Sequence, residues 1–190
     1  MSQDNGVHWS TAFKPHNDNT ESEHGFVSKL ALDNGNLMTV WLDGRQFAYA
    51  EKDSTIAKDM TLRAAIIDNK GGLRSEFLLD DRVCDCCQTD MANSANGPMV
   101  VYRDRSENEI RDIYFSRYKD SVWSQPKPIF DDSWHIPGCP VNGPAISSNS
   151  STTAVAWFTT ESCHHKIASF PEPEGANPDA RSRGWIGYLS

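Results

Sequence analysis

A chain of 190 residues with six tryptophans, 38% hydrophobic and 23% charged residues has the make-up of one ordinary globular core and not of a disordered polymer. Its formal net charge of −8 argues against nucleic acid or an anionic membrane as the main partner, since both select surplus Lys and Arg. No run of about 18 apolar residues reads as a membrane span, and no basic-then-apolar leader is seen.

Short apolar and β-branched runs bounded by Asn, Asp, Gly and Ser predict strands, in chain order, over 25–32, 36–43, 61–67, 75–79, 87–92, 98–103, 111–118, 126–130, 143–147 and 153–158. No long amphipathic helix competes with this reading. The stretches Asp33-Asn34-Gly35, Asp68-Asn69-Lys70-Gly71-Gly72 and Lys119-Asp120-Ser121 suit tight hairpins, because Gly and Asn tolerate positive φ.

The strands repeat. Val40-Trp41-Leu42-Asp43, Val101-Tyr102-Arg103-Asp104 and Ala156-Trp157-Phe158-Thr159 align as second strands at a period of about 55 to 60 residues, and Leu79-Asp80-Asp81 aligns with Phe130-Asp131-Asp132 as fourth-strand ends. Four antiparallel strands at this period are what a blade of a β-propeller requires; a β-sandwich would leave the period unexplained. The expected fold is therefore all-β, with the end of one blade at 1–20, blades at 21–82, 83–133 and 134–170, and an irregular tail at 171–190. That amounts to about three blades of an expected six, so exposed blade faces open the way to self-association.

Ser2, Asp4, Gly6 and Trp9, spaced Ser-x-Asp-x-Gly-x-x-Trp, resemble the Asp box of sialidase-type (BNR-repeat) β-propellers. Lys119-Asp120-Ser121-Val122-Trp123 is a degenerate second copy, and the stretches CDCCQT, YRDRSENEIRD and GCPVNGPA are similar to a bacterial exo-α-sialidase subgroup. The resemblance implies that the box is a turn whose aspartate bonds its own backbone and whose aromatic packs between blades. It implies hydrolysis of terminal sialic acid or a related acidic sugar from a glycoconjugate, a periplasmic or secreted location, and a chain representing half of a ring.

In an up-and-down blade the connections alternate between two rims. Ordinary turns then fall on the Asp-box rim, while the stretches beginning at Asp43, Cys84, Asp104 and Trp134 fall together on the other, which becomes the candidate site. There Arg45, Arg103, Arg105 and Arg111 could pair their planar forks with a sugar carboxylate, Asp104 or Asp43 could donate a proton, and Glu109 could be a second carboxylate. The competing reading makes 103–112 a solvated charge ladder, and Tyr102, the repeat mate of two tryptophans, a core residue. A non-catalytic carbohydrate- or protein-binding propeller is the alternative function.

No cofactor is expected. Cys139 can join Cys86 or Cys87 in a disulfide between blades, or Cys84, Cys86, Cys87 and Cys139 can hold zinc or copper(I), with His135 as a further ligand. Cys163, beside His164 and His165, reads as incidental.

Overall fold

The computed structural model describes residues 2, 4–160, 165–171 and 185–188; Cys163 lies outside them. In chain order the elements are β1 (His24–Ala31), β2 (Leu37–Asp43), α1 (Arg45–Ala50), β3 (Thr61–Ile67), β4 (Leu73–Asp80), β5 (Asp90–Ser94), β6 (Gly97–Arg103), β7 (Ile113–Lys119), β8 (Val122–Trp123), β9 (Lys127–Pro128), β10 (Ala145–Ser148), β11 (Thr152–Phe158), β12 (His165–Pro171) and β13 (Trp185–Tyr188). They form three antiparallel meanders: β1-β2-β3-β4, then β5-β6-β7 with β8 and β9 in succession along the outer edge of β7, then β10-β11-β12-β13.

Burial on both faces of the middle sheet stacks the three. On β6, Val100 and Tyr102 point into a core shared with Met38, Val40 and Leu42 of β2 and Leu62 of β3. Met99 and Val101, on the opposite face, join Val155 and Trp157 of β11 and Ala168 of β12. A strand whose successive side chains point to opposite faces can be apolar throughout only if both faces are covered. The first strands of the three sheets meet: the Ser28 hydroxyl of β1 donates to the Thr89 carbonyl just before β5 at 2.7 Å. The Ile146 N–H of β10 donates to Asp90 of β5 at 2.9 Å. Three antiparallel sheets, two of four strands and a middle one of five, stacked face to face with their first strands together, make this chain a partial β-propeller.

Two glycines are required by close approach. At Gly97, φ is +103° and a Cβ would strike the Tyr118 carbonyl, so the β5–β6 turn accepts no side chain. At Gly143 a Cβ would strike the Gln88 carbonyl, so this glycine lets the 129–144 connection lie against the β4–β5 connection.

Several expectations change. The segment 111–118 starts two residues later as β7, the fourth strand of the middle sheet is split into β8 and β9, and α1 follows β2 where no helix was foreseen. Residues 185–188, expected in an irregular tail, pair with β12 as the fourth strand of the last sheet. Among the described residues before His24 there is no strand, where the end of a blade was expected at 1–20. Part of this segment straps the outer face of the first sheet: Phe13 packs against Gly71 in the β3–β4 turn, and the His16 ring lies 6.3 Å from that of Trp41.

Hydrogen bonds join Ser2, Asp4, Gly6 and Trp9. Gly6 N–H donates to Ser2 Oγ at 2.8 Å, His8 N–H to Asp4 Oδ1 at 2.9 Å and Trp9 Nε1–H to the Gly6 carbonyl at 3.1 Å. Trp9, however, is 73% exposed and does not pack between sheets, because it curls back onto its own turn.

Candidate active site

The meander gathers the connections 44–60, 81–89, 104–112 and 129–144 at one rim, tied together by backbone bonds. Val83 N–H donates to the Met60 carbonyl at 2.9 Å, Cys84 N–H to Arg103 at 3.0 Å, Arg111 N–H to Trp134 at 2.9 Å and Ile136 N–H to Glu109 at 3.0 Å. Between the first two of these connections and the third opens a cleft of about 420 Å³, lined among others by Asp59, Asp80, Asp81, Arg82, Asp104 and Arg105.

Asp104 and Asp80 are hydrogen-bonded to each other in this cleft. Burial, then the negative charge of Asp80, pushes the Asp104 carboxyl up to about 7. Asp80 is also raised, chiefly by burial, and it accepts the Tyr102 hydroxyl at 2.7 Å. Two carboxyls in contact cannot both ionise cheaply, so the pair holds one proton near neutral pH. Tyr102 itself is fully buried and burial raises its phenol well above the ordinary range, which keeps it a neutral donor to Asp80.

Asp43 occupies the same repeat position as Asp104 and is the opposite case. Burial disfavours its charge, but Arg45 Nε and Nη2 at 2.8 and 2.7 Å, with Trp41 Nε1 at 2.7 Å, outweigh it and lower the carboxyl. Asp43 is a fixed anion with no proton to give. Arg45 is fully engaged too, with Glu76 at 2.8 Å and Asp18 at 3.3 Å besides Asp43.

The other arginines divide between cleft and scaffold. Arg103 is 1% exposed and gives its guanidinium to the carbonyls of Asn142, Arg111 and Phe158 at 2.6 to 2.8 Å, over the Trp134 ring; burial lowers it to about 10. Arg111 is buried and holds the Ile136 carbonyl and Glu109. Glu109 accepts Arg105 at 2.8 Å and Arg111 at 2.8 Å, and these bonds hold its carboxyl down at about 2. Arg105 Nη1 has only the longer ion pairs to Asp85 and Asp59, 3.8 and 3.9 Å away. The buried Nε of Arg82 has no hydrogen-bond partner but lies 3.5 Å from Asp59, and its Nη2 lies 3.6 Å from Glu109. Arg82 and Arg105 are thus the arginines that line the cleft, and each keeps a nitrogen whose partners are only these longer ion pairs.

The cysteines pair as Cys86–Cys139 and Cys84–Cys87, with Cα separations of 6.3 and 5.7 Å. The first is one of the two pairings expected for Cys139; the second was not foreseen. The His135 backbone forms a bridge with Ile110.

Of the residues singled out from sequence, Asp104 and Arg105 therefore line the cleft, Glu109 and Arg111 stand beside it, and Asp43, Arg45 and Arg103 are built into the scaffold. Asp80 and Arg82 were missed as site residues. The repeat had marked Asp80 only as a strand end, and nothing in the sequence shows that the last residue of β4 meets the first residue after β6.

No protein-family model matches the chain, and no curated protein matches it. Among solved structures, an alpha-L-arabinanase of Penicillium chrysogenum, determined in complex with arabinobiose, is similar with a TM-score of 0.45 and 9% identity, over 77% of this chain and 45% of that one. The chain spans less than half the length of that structure.

Proposed function

We propose that the cleft is the acid–base centre of a glycoside hydrolase acting on a terminal acidic sugar of the sialic acid type. The observation that carries this reading is the Asp80–Asp104 pair, which keeps a carboxylic acid protonated near neutral pH in an open cleft. Arg82 and Arg105 supply planar donors for the carboxylate of such a sugar. Asp104 passes its proton to the glycosidic oxygen as the bond to the anomeric carbon breaks, and the alcohol leaves. The pair, now with both carboxyls ionised and so carrying two negative charges, faces the positively charged ring, water adds to that carbon, and its proton returns to the pair and restores the singly protonated form. Because the two carboxyls are in hydrogen-bond contact, closer than the roughly 5–9.5 Å between independent carboxylates in glycosidases, they act as a single acid.

The test is a panel of fluorogenic glycosides, α-sialoside and uronide beside neutral arabinoside. Acidic-sugar substrates should be cleaved with a rate that falls as pH rises through about 7, and Asp104→Asn should lower kcat by about 100-fold or more with little change in KM. Binding of acidic glycans without cleavage of any substrate would replace this reading with a carbohydrate-binding one.

A further inference from the structure

Away from the cleft, where the strap crosses the first sheet, two imidazoles and two carboxylates converge. His16 Nδ1 lies 2.6 Å and His24 Nε2 3.1 Å from Asp18 Oδ2, and His24 Nε2 lies 3.4 Å from Asp43 Oδ2. His24 and Asp18 are held from outside. The Ser22 carbonyl, 2.8 Å from His24 Nδ1, accepts that nitrogen's proton and leaves Nε2 as the nitrogen that faces the carboxylates. The N–H and hydroxyl of Thr20 occupy Asp18 Oδ1, leaving Oδ2 to face the two rings. The side chains of His16 and His24 are 11 and 12% exposed, and those of Asp18 and Asp43 0 to 1%. His24 Nε2 and the two carboxylate oxygens that it faces call for a positive charge between them.

We propose that His16, Asp18 and His24, with Asp43 Oδ2 as the fourth donor, bind a divalent transition-metal cation, zinc being the best match to a closed site of nitrogen and carboxylate ligands. Charge agrees. Asp18, Asp43 and Glu76 carry three negative charges against two on Arg45 and Arg63, and the adjoining cleft of about 370 Å³ is lined by Glu21, Glu23 and Glu51. Arg45 can release the Oδ2 atoms without being orphaned, since its Nε holds Asp43 Oδ1 at 2.8 Å and its Nη1 holds Glu76 at 2.8 Å. The His16 and His24 rings are stacked with centroids 3.8 Å apart, so one ring must tilt out of the stack for both nitrogens to reach one ion. The cation would clamp the strap to the ends of β1 and β2, a structural role separate from the Asp80–Asp104 chemistry.

The experiment is calorimetric titration of ZnCl2 into the EDTA-treated protein, purified without reductant, with elemental analysis and a thermal melt. One equivalent should bind, raise the melting midpoint and release protons to the buffer. His16→Gln and Asp18→Asn should each weaken uptake by about 100-fold, with circular dichroism showing the sheets intact, whereas the Cys86→Ser/Cys139→Ser protein should bind as before. Absence of heat and of any melting shift with Zn²⁺, Ni²⁺ and Mn²⁺ overturns the site. Uptake that survives both ligand variants, or that is lost in the cysteine variant, overturns it as well.

Discussion

Asp43 and Asp104 show how one repeat position is given two charge states. Asp43 has a guanidinium two residues on and a tryptophan N–H beneath it; Asp104 faces another carboxyl. Because Asp104 titrates near 7 in the folded protein and near 3.8 ordinarily, the native state binds more protons between those values, and stability falls as pH rises from about 4 to about 7. Glu109 has the opposite sign: held down at about 2, it contributes stability above its ordinary range that is lost as pH falls through about 2. Urea denaturation at pH 5 and pH 8 should show the wild type less stable at the higher pH, by on the order of 2 kcal/mol from this residue, and Asp104→Asn should flatten that slope. An equally steep slope in the variant would show that Asp104 is not the group responsible. Tyr102→Phe, which leaves Asp80 without its 2.7 Å donor, should steepen the slope, because Asp80 then resists ionisation further.

At the level of strands and connections, the polar-tipped aromatics of the second strands do the same work in all three sheets. Trp41 donates to Asp43, Tyr102 to Asp80 and Trp157 to Asp132, each at 2.7 Å. The repeat that exposed the strands in the sequence also exposed these aromatics, since a period of four strands is written in apolar runs and turn residues. Their partners were not legible: Asp80 and Asp132 belong to the preceding sheet or the connection leaving it, and only folding sets them against Tyr102 and Trp157. The same limit applies to β8 and β9, two residues each, too short to leave an alternating pattern. The cysteines were legible as a cluster, and their pairing now separates by span. Cys86–Cys139 closes a loop of 53 residues and Cys84–Cys87 one of 3. Replacing both partners of the longer link by Ser should cost about 2–4 kcal/mol, and replacing those of the shorter link less; denaturant midpoints of the two double variants compare them directly. Equal losses would mean that loop closure is not how the long link acts.

Across the whole molecule there are two kinds of seam. Between the sheets the contacts are chiefly apolar, around Val100 and Tyr102 on one side and Val101 and Trp157 on the other, with a few hydrogen bonds such as Tyr102 to Asp80. Between the strap and the first sheet they include an ionic and imidazole cluster around Asp18, His24, Asp43 and Arg45. Sequence reading foresaw the stack of sheets from the repeat, but not the strap, because a segment without strand periodicity gives no sign of what it lies on. Burial of apolar area resists salt and mild acid, whereas a charged seam depends on the protonation and hydration of every member. The two seams therefore part under different conditions, and the protein has a partly unfolded form built into it. In hydrogen exchange, the amides of 13–24 should open as a cooperative unit of their own, at lower free energy than β2, β6 and β11 and with a strong dependence on pH.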